Sequence, residues 1–129
     1  MLKDRDSSAI VAVSDIDRAR SFYRDTLGLT LEGDGGPDMD GVLSFRTGAT
    51  RLTVYASEYA GTNKANAVTF AMQGDLLETV QALRARGVVF EHYDLPGLSL
   101  NGDIHEAGPV KLAWFKDPDG NLIHLIEGM

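Results

Sequence analysis

The sequence predicts an α+β fold: two tandem βαβββ modules forming a cupped mixed β-sheet, with the helices on its outer face. Three observations predict it: an amphipathic helix pattern that occurs twice, three β-rich runs behind each occurrence, and a nearly constant offset between the copies. Asp15 and Asp75, which open the two helices, lie 60 residues apart, and Gly28 and Gly87, which close them, lie 59 apart. Self-similarity at a fixed offset marks an internal repeat. A length of 129 residues suits a single domain. Residues 1–129 are read as that domain, with module 1 at about 7–58 and module 2 at about 66–128.

Each element has a local reason. Ser8 to Val13 is a short β-rich run, and Ser14-Asp15-Ile16-Asp17 supplies capping side chains and first-turn acids for a helix. Ile16, Ala19, Phe22, Tyr23 and Leu27 then line one face of that helix, which Gly28 ends. Strands are expected at Leu29 to Gly33, Val42 to Thr47 and Arg51 to Ser57, separated by the turns Gly33-Asp34-Gly35-Gly36-Pro37 and Thr47-Gly48-Ala49-Thr50. Tyr59 to Lys64 has linker composition. The pattern then restarts with a strand from Ala67 to Met72, and Gly74-Asp75 opens a helix whose Leu76, Val80 and Leu83 share a face. Strands follow at Val88 to Asp94, Val110 to Lys116 and Leu122 to Glu127, the last two joined by Asp117-Pro118-Asp119-Gly120. Leu95 to Pro109, with three glycines and two prolines, reads as a long connection, either a binding flap or a floppy loop.

Composition narrows the function classes. A 43% hydrophobic and 24% charged chain is ordinary for a globular protein, and no apolar run reaches the ~18 residues of a membrane span. A formal charge of −7 repels a phosphate backbone, so nucleic acid is not an expected partner. Without cysteine there is no disulfide, thiolate nucleophile or thiolate metal site. The opening Met1-Leu2-Lys3-Asp4-Arg5-Asp6 does not read as a signal peptide, and the expected location is cytoplasmic.

One helix covers only one face of each module's strands, so the other face must be covered or used. Period-two alternation sorts the side chains. Ala9, Val11 and Val13 suit the helix side, leaving Ser8 and Ile10 on the open side; Leu52 and Val54 do the same for Thr53 and Tyr55, and Val68, Phe70 and Met72 for Ala67, Thr69 and Ala71. In the last strand Leu122, His124 and Ile126 share one face. Trp114, the single tryptophan, competes with Phe115 for the open face, and Trp114 is favoured. His92 is placed on neither side by alternation.

Val13-Ser14-Asp15-Ile16-Asp17-Arg18-Ala19-Arg20-Ser21-Phe22-Tyr23-Arg24-Asp25-Thr26-Leu27-Gly28-Leu29 and Trp114-Phe115-Lys116-Asp117-Pro118-Asp119-Gly120-Asn121-Leu122-Ile123, together with the repeat, resemble the vicinal oxygen chelate superfamily, which includes glyoxalase I, extradiol dioxygenases and the bleomycin and fosfomycin resistance proteins. The resemblance covers nearly the whole chain and implies paired βαβββ modules and frequent homodimers. Its metal-using members hold a divalent ion on residues from each module's first and last strands. Carried over by motif, those positions are Ser8, Ala67, Thr53 or a neighbour, and His124, where the family usually has glutamate. Only His124 is a ligand type, whereas zinc and similar ions need about three protein donors, so neither metal nor cofactor is expected. His105 and Glu106 are expected as solvated loop side chains, able to reach His124 only if the loop folds over.

Two functions follow. One is a metal-independent protein sequestering an apolar or aromatic small molecule, with Ser8, Ile10, Thr53, Tyr55, Thr69, His92, Trp114, Leu122 and His124 as candidate ligand contacts. The other is an enzyme, a lyase, isomerase or dioxygenase, working through His124 or a rebuilt metal site. His124 is the best single candidate for a catalytic role; as a ligand-contacting, an inert or a general-base histidine it remains open.

Overall fold

The computed structural model describes residues 1–34 and 41–128. The glycine-rich turn expected up to Pro37 lies outside the described residues from Gly35 onward. The chain divides into two compact units, Met1–Thr62 and Asn63–Met129.

The first unit runs β1 (Ala9–Val13), α1 (Ile16–Ser21), a π-helical turn (Phe22–Thr26), β2 (Thr30–Gly33), β3 (Val42–Thr47) and β4 (Thr50–Ala56). Its sheet has the order β1-β4-β3-β2, with β1 parallel to β4 and the other pairs antiparallel. Asp15 caps α1, its Oδ1 accepting from the Arg18 amide at 3.0 Å. The expected single helix to Gly28 widens after Ser21, where the Leu27 amide reaches back to the Phe22 carbonyl at 2.9 Å. A π turn has poorer hydrogen-bond geometry than an α turn. Here it coincides with complete burial of Tyr23, whose ring lies 5.8 Å from that of Phe45. Val11, Val13, Leu43, Phe45, Leu52 and Val54 complete this core, on the face that alternation assigns to the helix.

The second unit repeats the frame as β5 (Asn66–Ala71), α2 (Leu76–Ala85), β6 (Phe90–Glu91), β7 (Ser99–Asn101), β8 (Ile104–Ala107), β9 (Val110–Lys116) and β10 (Leu122–Glu127). Again the first strand lies parallel to the last, β5 beside β10, and β10 is antiparallel to β9. The full order is β5-β10-β9-β8-β7, with β6 also on β9. Leu76, Val80 and Leu83 of α2 are buried as their spacing predicts, with Phe115, Ile123 and Leu125 in the same core. Asp75 opens α2 without a side-chain cap; its Oδ1 accepts instead from the Gln73 amide. The first orphan donor of the helix, the Leu76 amide, bonds Glu127 Oε1 at 3.0 Å, a cap delivered from β10.

Two expectations are corrected in this unit. The strand predicted from Val88 to Asp94 contracts to Phe90–Glu91, and Leu95 to Pro109 is no loop but contains the β7–β8 hairpin. Both have one cause: β9 is long enough to take two partners end to end along one edge. Phe115 and Trp114 pair with β6, while Leu112, Lys111 and Val110 pair with β8. The sequence signal was Gly102-Asp103, a two-residue hairpin loop with glycine at the position requiring positive φ, here 65°.

The turn before β10 is held by the buried Asp117 carboxylate. Its Oδ1 accepts from the amides of Asp119 and Asn121 at 3.0 and 2.8 Å, and its Oδ2 from Asn121 Nδ2 at 2.8 Å. Asp117→Ala leaves these donors without their acceptor and is expected to destabilise the fold by about 2 kcal/mol or more. The urea unfolding midpoint measures this; an unchanged midpoint would show that the turn holds without the carboxylate.

Candidate functional site

Alternation along β9 and β10 separates two surfaces. Phe115 faces α2 and meets Phe90 edge-on at 5.5 Å, and Glu127 on the same side caps that helix. Trp114 and His124 therefore lie on the sheet's other face, directly opposite each other across the antiparallel pair. Their rings stack at 4.9 Å and 17°. Two further rings meet the indole edge-on: His105 at 4.9 Å and 84°, and Tyr93 at 5.3 Å and 86°. Trp114 Nε1 donates to Asn66 Oδ1 at 3.1 Å, so the indole is fixed by aromatic contacts and one directional bond.

The two histidines hold defined chemistry. His105 Nε2 accepts the Tyr93 amide hydrogen at 2.9 Å, which places the ring proton on Nδ1. His124 Nδ1 shares a hydrogen bond with Thr69 Oγ1 at 3.2 Å. The remaining nitrogens, His105 Nδ1 and His124 Nε2, are buried and have no hydrogen-bond partner. Burial pushes the His124 imidazole below its ordinary value of 6.5, which favours the neutral ring. A neutral imidazole with one free nitrogen can donate to a ligand, accept from it or take its proton.

Among the residues expected at a site, Thr69, Trp114, Leu122 and His124 share this face. Ile10, Thr53 and Tyr55 share the non-helix face of the first unit's sheet, with Ile10 opposite Thr53, and Ser8 is exposed just before β1. His92 is half exposed and engages the hairpin turn: its Nε2 lies 2.7 Å from Asp103 Oδ1. The His92 hydrogen bond, with help from Arg84 at 2.6 Å, holds the Asp103 carboxyl below the usual range. Sequence reasoning missed Asn66, Tyr93 and His105 beside Trp114. The expectation that His105 would be a solvated loop residue is corrected: it is 1% exposed on β8. Glu106, next along that strand, points to the opposite face, in register with Lys111.

The family model described as Glyoxalase/Bleomycin resistance protein/Dioxygenase superfamily matches residues 7–125. The chain belongs to this superfamily. Among solved structures, this glyoxalase-superfamily chain is similar to a glyoxalase/bleomycin resistance protein/dioxygenase from Alicyclobacillus acidocaldarius, at 18% identity and TM-score 0.72, covering 100% of this chain and 96% of the other. It is similar to a lactoylglutathione lyase from Agrobacterium tumefaciens at 19% identity and TM-score 0.70, covering 97% and 94%. An integron cassette protein from V. cholerae matches at 20% identity and TM-score 0.66, covering 100% and 98%. At these identities the likeness establishes the fold. Among curated proteins, none matches the sequence significantly.

The metal that the superfamily resemblance implies does not fit these residues. Ser8, Ala67 and Thr53 offer at most hydroxyls, and the Nδ1 of His124 is already bonded to Thr69. Among the described residues, no group of three or more His, Cys, Asp or Glu is gathered to hold an ion.

The His124 shift sets a sign for pH dependence. The folded state binds the proton more weakly than the unfolded chain, so stability is full above about pH 6.5 and declines as pH falls below it, levelling off past the folded value. In His124→Gln this decline is expected to be smaller between about pH 8 and pH 5. Urea midpoints at both pH values measure the difference, and identical slopes for the two proteins would exclude His124 as the source.

Proposed function

We propose that the chain is a metal-independent small-molecule-binding protein of the glyoxalase/bleomycin-resistance type, taking up an apolar or aromatic ligand, an antibiotic or a metabolite, at the Trp114 face of its second unit. The observation that carries this reading is the Trp114–His124 stack with two buried, unpartnered imidazole nitrogens beside it. Leaving such a group unpaired costs about 1–3 kcal/mol, which a ligand presenting a matching polar atom would recover. Trp114 and His105 form a buried aromatic cluster whose access side is part-exposed Tyr93 and exposed Thr69 and Asn66, so a planar molecule would enter from that border. The donor set, which does not fit a metal, supports binding without one. The same reading takes the protein as a cytoplasmic homodimer. The cysteine-free composition is compatible with that location, and the homodimer is what the superfamily resemblance implies.

A second reading, a lyase or isomerase using His124 as a general base, draws on the free Nε2 and on the burial that keeps the ring neutral. Titrating tryptophan emission with a panel of aromatic and polycyclic antibiotics separates the two. A saturable change, insensitive to EDTA and weakened by about 1–2 kcal/mol in His124→Ala, is the outcome expected for binding. Turnover of a bound compound that is lost in the same variant would favour the enzyme. Unchanged emission across the panel would remove the Trp114 face as a site for these ligands.

A further inference from the structure

The second sheet is five strands wide, with β6 and β8 end to end along β9, beneath one ten-residue helix. A helix with its side chains is about 10–12 Å across and neighbouring strands lie about 4.8 Å apart, so α2 roofs only two or three of them. The β7–β8 hairpin, which has no counterpart among the described residues of the first unit, widens the sheet without adding a second helix. The space left beside α2 is a cavity of about 500 Å³, within the range of small-molecule sites.

Its lining is amphoteric. Exposed Leu77 of α2 provides the apolar surface, with buried Val80 of the same helix and Ile104 of β8 behind it. Lys111 lies between two carboxylates in register, Glu127 on β10 and Glu106 on β8. Neither neutralises it: Glu127 Oε1 caps α2, Glu106 Oε1 takes a long 3.4 Å bond from Asn101, and Lys111 has no ion pair among the described residues. Glu78, on the helix wall, has no partner there either, whereas Arg84 is engaged with Asp103. An anion alone would meet the carboxylates, and a cation alone would meet the ammonium. A molecule carrying both charges and an apolar body matches all three parts.

We propose that this cavity binds a small zwitterion, an amino acid with an aliphatic side chain, its carboxylate on Lys111, its ammonium on Glu78 and Glu106, and its side chain against Leu77. The site is separate from the Trp114 face, because Ile104 and Glu106 alternate with His105 on β8, and Lys111 lies on the opposite side of β9 from Trp114. The test is an amide-resolved NMR titration of the full chain with L-leucine, 4-methylpentanoate, which lacks the ammonium, and isopentylamine, which lacks the carboxylate. Leucine is expected to shift Leu77, Gln81, Gly102 and Ile104 saturably while Trp114 and His124 stay in place. Each truncated probe should bind about tenfold more weakly, as should leucine to Lys111→Met and to Glu78→Gln. The proposal is overturned by no saturable shift at about 10 mM leucine, by equal affinity for all three probes, by variants that bind leucine as the parent does, or by shifts confined to Trp114 and His124.

Discussion

The parallel pairing of each unit's first strand with its last is the constraint on which the rest depends. Parallel neighbours cannot be joined by a tight turn; the chain must cross over one face of the sheet, and here a helix makes that crossing. Once β1 lies beside β4, and β5 beside β10, the helix side of every strand is decided. Burial follows: Val11, Val13, Leu52 and Val54 in one unit, and Val68, Ile123 and Leu125 in the other, lie on the covered side. The residues between them are left for another purpose.

In the second unit that remainder is unusual, since β10 is buried on both faces, Leu122 and His124 on one and Ile123 and Leu125 on the other. An imidazole in such a strand must find partners or lower its affinity for protons. His124 does both, through Thr69, through the flat contact with Trp114, and through desolvation. His105 reaches the same aromatic cluster by a different route, as part of a hairpin laid along the free length of β9. The chemistry gathered around the indole thus comes from both the repeated frame and the segment that breaks the repeat.

The frame was readable because its signals are periodic and local: the two amphipathic stripes, the closing glycines, and the boundaries of Val42–Thr47, Val110–Lys116 and Leu122–Glu127, which the structure reproduces. The choice of Trp114 over Phe115 for the open face was readable in part, because alternation gave the faces but not which one the helix would take. The hairpin was hidden although Gly102-Asp103 advertised a turn. Strands of three and four residues give too short a window for alternation to separate them from a loop. His105 and Asn66 were missed for a related reason. Contacts between side chains 48 residues apart, as for Trp114 and Asn66, depend on strand register, which no local pattern records.

The cap that Glu127 gives α2 orders events in time as well as in space. The N-terminal turn of that helix stays without this acceptor until the strand some fifty positions later has been made and threaded between β5 and β9. The first unit has all its hydrogen-bonded strands once Ala56 has left the ribosome. Each half waits for its last strand, β4 between β1 and β3 and β10 between β5 and β9. In the second half that strand also brings the cap of its helix, and the edge of β5 stays open in the interval.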